Sequence, residues 1–253
     1  MGTAMTIGVG FLGTDWIVLG SDMELTGTAK YAGLKDYYRW FDEQKGVIAA
    51  VYAGLEDDMR CLWEELRTRI EAKEKSGLKL EQKDVRAILS ESLDAVTIDR
   101  KSQFQMLVAI TKQEKQPIFL RVFHKRVSPA TSWEIIGRGD CELSRYLTSW
   151  MKTDLTKHQA VLWSTHIINM AKNFVQYVGQ GIRLSVVKDG RVACMDGDIF
   201  SQKLSTMDAY IGGLWLDFCN VELSQQEYEM RLQAFTSSVC GVRGGIPKVK
   251  LDF

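Results

Sequence analysis

The chain opens with two short apolar runs separated by a polar turn. Residues 6–11 read TIGVGF, residues 15–22 read DWIVLGSD, and the linking GFLGTDW carries two glycines and an aspartate. That pattern predicts a hairpin of two strands. YYRWFDEQ and GVIAAVYAG repeat the arrangement around polar DEQK. The run from Gly46 to Gly54 is apolar between its glycines, as in a strand buried on both faces. Leu55, Met59, Leu62, Leu66 and Ile70 then recur every three to four residues, which predicts a helix with one apolar stripe. Glu56, Asp57 and Asp58 fall in its first turn, where the helix dipole favours anions. Val85, Ile88, Leu89, Leu93 and Val96 predict a second amphipathic helix.

FQMLVAIT, PIFLRVFH and WEIIG read as strands, ELSRYLTSWM and KHQAVLWSTHIINMAKNFVQYV as helices. IRLSVVKDGRVACMD reads as a hairpin turning at Asp189-Gly190. In the last ~50 residues the pattern weakens. SQQEYEMRLQAF predicts a short helix, and residues 239–253 an irregular tail. Strands and helices come in blocks, which points to an α+β fold of antiparallel sheets covered by helices. A doubly wound fold would alternate them.

At 253 residues the chain fits one large domain able to bury its own core. Lys+Arg and Asp+Glu both number 32, so no bulk charge draws it to nucleic acid or anionic lipid. Near-zero charge permits self-association. Cys61, Cys141, Cys194, Cys219 and Cys240 are scattered without a CxxC, so a disulfide framework or zinc site is not expected and a reducing cytoplasm is. No signal peptide and no membrane-length apolar run is read. His124, His158 and His166 lack the partners and spacing of a metal site, and no cofactor motif is found.

TIGVGF, WIVLGSD, GVIAAVYAG before a helix, IIGRGD before a helix and the late hairpin IRLSVVKDGRV, in that order, resemble the proteasome β-subunit family of N-terminal nucleophile hydrolases. The resemblance spans roughly residues 6–200 and favours a bacterial proteasome-type subunit. It implies a four-layer αββα sandwich over residues 6–253, preceded by a leader, residues 1–5. It also implies a homo-oligomeric ring, a peptide or unfolded protein as substrate, and leaves room for an ATP-driven unfoldase on the ring.

In that family a threonine freed by self-cleavage is both nucleophile and N-terminus. A hydroxyl is a poor nucleophile without a base, and a free α-amino group of pKa about 7.7–8.0 can accept its proton near neutral pH. The resemblance places Thr6 at that threonine and Asp22, sixteen residues on, at the supporting aspartate. Gly2-Thr3 looks like the family's cleavage junction, but Thr3 lies nineteen residues from Asp22 and breaks the register. Counting back from Gly46 puts the family's lysine near Tyr37. Lys35 lies two residues earlier on the same side of a strand, with Lys30 a weaker candidate. The backbone amide at Arg138–Gly139 falls at the family's oxyanion turn, with Arg138 in place of serine.

Other positions depart from the family. Val175 and Val178 stand near an expected aspartate and serine, and Met5 where the family mostly has glycine before its threonine. Two functions therefore stay open: a peptidase acting through Thr6, Asp22 and Lys35, or a non-catalytic ring or scaffold subunit of the same fold.

Overall fold

The computed structural model describes residues 6–26, 30–32, 35–98, 104–137, 154–174, 178–179, 181–219 and 224–246. The predicted helix over ELSRYLTSWM, together with Arg138, Gly139 and Val175, lies outside them. The strands are β1 (Ile7–Leu12), β2 (Trp16–Asp22), β3 (Glu24–Thr26), β4 (Lys30–Ala32), β5 (Asp36–Phe41), β6 (Gly46–Ala53), β7 (Gln105–Lys112), β8 (Ile118–Phe123), β9 (Arg126–Pro129), β10 (Trp133–Gly137), β11 (Ile182–Lys188) and β12 (Arg191–Asp196). The helices are α1 (Glu56–Lys75), α2 (Gln82–Ala95), α3 (Lys157–Phe174), α4 (Asp198–Cys219) and α5 (Gln225–Gly244).

Two five-stranded sheets form, ordered β10-β1-β2-β11-β12 and β5-β6-β7-β8-β9, with every pairing antiparallel. A two-stranded ribbon, β3 with β4, lies between β2 and β5 in sequence. The fold is α+β, as the block order predicts.

The unbroken apolar run of β6 has a direct cause. Val47, Ala49, Val51 and Ala53 pack with Ile17, Leu19, Leu107, Phe119 and Val187 in a core shared by the two sheets. The alternate residues Ile48, Ala50 and Tyr52 pack with Met59, Leu62, Leu66, Val85 and Leu89 of α1 and α2. A strand with period-two side chains and an apolar layer on each face must be apolar throughout. On the first sheet, α3 packs against β1, β2 and β11. The sheets approach closely where β1 carries glycine. A Cβ on Gly8 would sit 2.8 Å from Ile136 on neighbouring β10 and 3.5 Å from Val51 of the other sheet, and one on Gly10 2.5 Å from Phe119 of that sheet.

Turn chemistry follows the sequence. Asp189 and Gly190 both take positive φ, 47° and 72°, as the two-residue hairpin of β11 and β12 requires. Polar Asp42, Glu43 and Gln44 do the same between β5 and β6.

The chain divides into two compact units at Gly197 and Asp198. The first contains both sheets and α1–α3. In the second, α4 and α5 pack on each other. Two expectations are corrected here. The short helix over SQQEYEMRLQAF extends to Gly244, so residues 239–244 are helical rather than an irregular tail. It starts at a capping box, Ser224 with Glu227, which satisfies free N–H groups of the first turn. The 22-residue α4 precedes it. Ile199, Ile211, Leu216 and Met230 of this unit are exposed, Leu216 at 72%.

Candidate active site

Hairpin register explains how the first two candidates meet. Gly8 pairs with Ser21, and one step down the ladder sets Ile7 beside Asp22, with Thr6 next in line. A spacing of sixteen residues across a short turn therefore puts the threonine next to the aspartate. The Thr6 hydroxyl donates to Asp22 Oδ1. The same oxygen accepts the Ile7 backbone N–H at 3.1 Å.

Lys35 arrives from the other sheet, at the entry to β5. Its ammonium donates to Thr6 Oγ1 and, at 3.0 Å, to Asp22 Oδ1. Counting back from Gly46 runs through the positive-φ turn at Asp42–Gln44 and then β5, and it stops two residues short of the lysine. Thr6, Asp22 and Lys35 are 3%, 0% and 2% exposed. A hydroxyl has one proton to give and two lone pairs to offer. Here it gives the proton toward a carboxylate and receives one from an ammonium, so a proton can leave or reach this oxygen by either path.

The remaining Asp22 oxygen, Oδ2, accepts the Gly179 backbone N–H at 3.3 Å. Sequence reasoning missed this donor, because a backbone amide carries no residue signature. It lies beside Val178, which is buried and apolar at a position where the resemblance expects a polar side chain. The backbone thus supplies a donor that the Val178 side chain cannot.

Gly137, the last residue of β10, pairs with Ile7. Its φ is +94°, and a Cβ there would lie 2.0 Å from the Thr6 carbonyl oxygen. Both the dihedral and the contact exclude a side chain. Arg138 and Gly139, the proposed oxyanion turn, follow it outside the described residues.

A second polar group lies next to the first in sequence. Asp36 Oδ2 accepts hydrogen bonds from Arg183 Nε at 3.2 Å, Ser185 Oγ at 3.4 Å and Cys194 Sγ at 3.6 Å. Burial, with the Asp36 charge added to it, pushes the Cys194 thiol above its ordinary range. Burial opposes the charge of Arg183, and Asp36 outweighs it, so the guanidinium is held above its usual value.

Among the described residues no group of three His, Cys, Asp or Glu side chains is placed to hold a metal ion, and no helix is long and apolar enough to cross a membrane.

No protein-family model and no curated protein matches the chain. Among solved structures, an Anbu (Gly-1) mutant from Hyphomicrobium sp. strain MC1 is similar, with a TM-score of 0.70 and 14% identity over 87% of this chain and 99% of that one. The fold is proteasome-like. Anbu is a bacterial proteasome-like protein of the N-terminal nucleophile class, and at this identity the likeness speaks for the fold alone.

Proposed function

We propose that this chain is a bacterial proteasome-type subunit that hydrolyses peptide bonds with Thr6 as N-terminal nucleophile, in a four-layer αββα sandwich assembled into rings. The observation that carries this reading is the convergence of Thr6, Asp22 and Lys35, from three separate segments, into one buried hydrogen-bonded cluster.

The chemistry runs in two halves. Once the Met5–Thr6 bond is cut, the Thr6 hydroxyl attacks the substrate carbonyl carbon. Its proton passes to the new α-amino group, while Lys35 and Asp22 hold the oxygen in place. The tetrahedral intermediate expels the amine, which takes that proton, and leaves an ester on Thr6. Water then attacks the ester and restores the hydroxyl. Backbone N–H groups at Arg138–Gly139 would receive the oxyanion. The apolar side chains exposed on the second unit, Ile211 and Leu216 among them, support ring contacts. Asp217, next to Leu216 on α4, pairs with Arg231 of α5.

One observation favours the second reading, a non-catalytic ring or scaffold subunit: Val178 is buried where polar support is expected. The test is the intact mass and N-terminal residue of the purified chain, followed by peptide hydrolysis with Thr6→Ala as control. A chain that begins at Thr6 and loses hydrolysis in Thr6→Ala supports the peptidase. A chain that keeps residues 1–5 and cleaves nothing supports the scaffold.

A further inference from the structure

Lys35 enters the site from the edge of the second sheet. Among the described residues β5 has a strand neighbour on one side only, β6. The end of an edge strand frays unless something holds it. Asp36, the first residue of β5, supplies the hold. Its carboxylate reaches across to the first sheet, to Arg183 and Ser185 on β11 and Cys194 on β12. β11 is also the strand that flanks the site: Ile182 pairs with Asp22, and Arg183 with Ser21. One ion pair therefore ties the residue next to Lys35 to the strand next to Asp22.

That link is a costly way to join two sheets. Asp36 is 4% exposed, and its Oδ1 is buried with no hydrogen-bond partner. Arg183 is half-buried, and an ion pair with one buried partner and an unsatisfied oxygen adds little net stability. Around it the sheets pack through aliphatic side chains such as Val51 and Leu107. An ion pair offers directional placement, which an aliphatic contact does not.

We propose that Asp36 and Arg183 form a positioning pair that sets the Lys35 ammonium against Thr6 and Asp22. The proposal rests on the reading of Thr6 as nucleophile, and neither residue touches the reacting atoms.

The test uses the full chain with the variants Asp36→Asn, Arg183→Gln, Ser185→Ala and Arg183→Lys. The first readout is acylation by a β-lactone, followed by intact mass. Thr6 Oγ1 attacks the lactone carbonyl, the ring C–O bond breaks, and the alkoxide formed takes the threonine proton. The adduct adds the mass of the lactone. The second readout is a crystal structure of each variant. Displacing a reacting group by ~1 Å costs about 100-fold. The expected result is a 10- to 100-fold fall in the acylation rate constant for Asp36→Asn and Arg183→Gln, with lactone affinity unchanged. Lys35 Nζ should be out of hydrogen-bond reach of Asp22, and Arg183→Lys should recover both. A variant that only loosens the fold would lower melting temperature and leave Lys35 in place.

The proposal is overturned if Lys35 Nζ stays within hydrogen-bond distance of Asp22 Oδ1 in the Asp36→Asn and Arg183→Gln crystals. If the wild type takes no lactone, the peptidase reading fails, and the crystal positions still decide the positioning pair. If Asp36→Asn does not fold, Arg183→Gln and Ser185→Ala decide it by the same readouts.

Discussion

Among the described residues of the first unit, Lys35 and Lys112 are buried, and one difference in their surroundings is instructive. Lys112, at the end of β7, donates to the Leu80 carbonyl at 2.9 Å and to carboxylates of Glu81 and Asp42 at 2.8 and 2.9 Å. Lys35 also has a carboxylate, Asp22, but its acceptors include a hydroxyl, that of Thr6. Lys112 staples a strand end to the start of α2 and to the β5–β6 turn, and every partner is a finished acceptor. Lys35 contacts an oxygen that can still lose a proton and attack. A buried cation with only carbonyls and carboxylates around it holds structure. The same cation beside a hydroxyl and a carboxylate can also serve chemistry.

The sharpest way to break this comparison is to remove the hydroxyl. Thr6→Ala should abolish peptide hydrolysis, a loss on the order of 10⁶-fold, while circular dichroism stays that of the wild type. Unchanged turnover in Thr6→Ala would end the distinction between the two lysines.

Removing each ammonium in turn should give opposite results for turnover. Lys35→Met should lower turnover by about 10²- to 10⁴-fold, and it should lower melting temperature as well, because it leaves the buried Asp22 carboxylate without its cation. Lys112→Met should leave turnover near wild type and cost about 1–3 kcal/mol, read by thermal denaturation. Its effect should also depend on pH. Burial lowers the Lys112 pKa, but Glu81 and Asp42 outweigh that and raise it. A raised pKa means the folded state favours the protonated ammonium. The stabilisation is therefore complete below the unfolded value of about 10.4 and is lost as pH climbs through the folded one. Wild type and Lys112→Met should converge in stability at strongly alkaline pH.

Gly137→Ala sharpens the contrast from the backbone side. The added methyl meets the Thr6 carbonyl and strains a positive φ, so turnover should fall with a stability loss of about 1–3 kcal/mol. The smallest effect expected is chemical. Cys194, its thiol raised by burial, should alkylate with iodoacetamide near pH 8 more slowly than exposed Cys61 and Cys240, as peptide mapping would report. Equal rates would place Cys194 outside the buried polar group.

The hairpin that carries Thr6 and Asp22 was legible in the sequence, because strand period and a short turn together set the register. The buried strand β6 was legible too, since an apolar layer on each face leaves no polar position. Lys35 was half legible. The count back from Gly46 crosses β5 and the positive-φ turn at Asp42–Gln44, and no local pattern marks how long that stretch is. Gly179 was not legible, because its contribution is a main-chain N–H. Gly212 and Gly213 sit inside α4, and Gly241 and Gly244 inside α5. Glycine is a poor helix former, which hid α4 and the C-terminal part of α5 from a propensity reading. The Asp36–Arg183 pair escaped as well, since its partners lie 147 residues apart.

The glycines of β1 set a limit on how this molecule can change. Gly8 and Gly10 face side chains already in contact range of any added carbon, while Ile7, Val9 and Phe11, which alternate with them, are buried as well. Nearly every replacement along the strand that follows Thr6 must therefore push a sheet or open a void. In a saturation-mutagenesis library this strand should tolerate almost nothing. Diversity in such a lineage would have to accumulate elsewhere, with the segment behind Thr6 kept nearly invariant by packing alone.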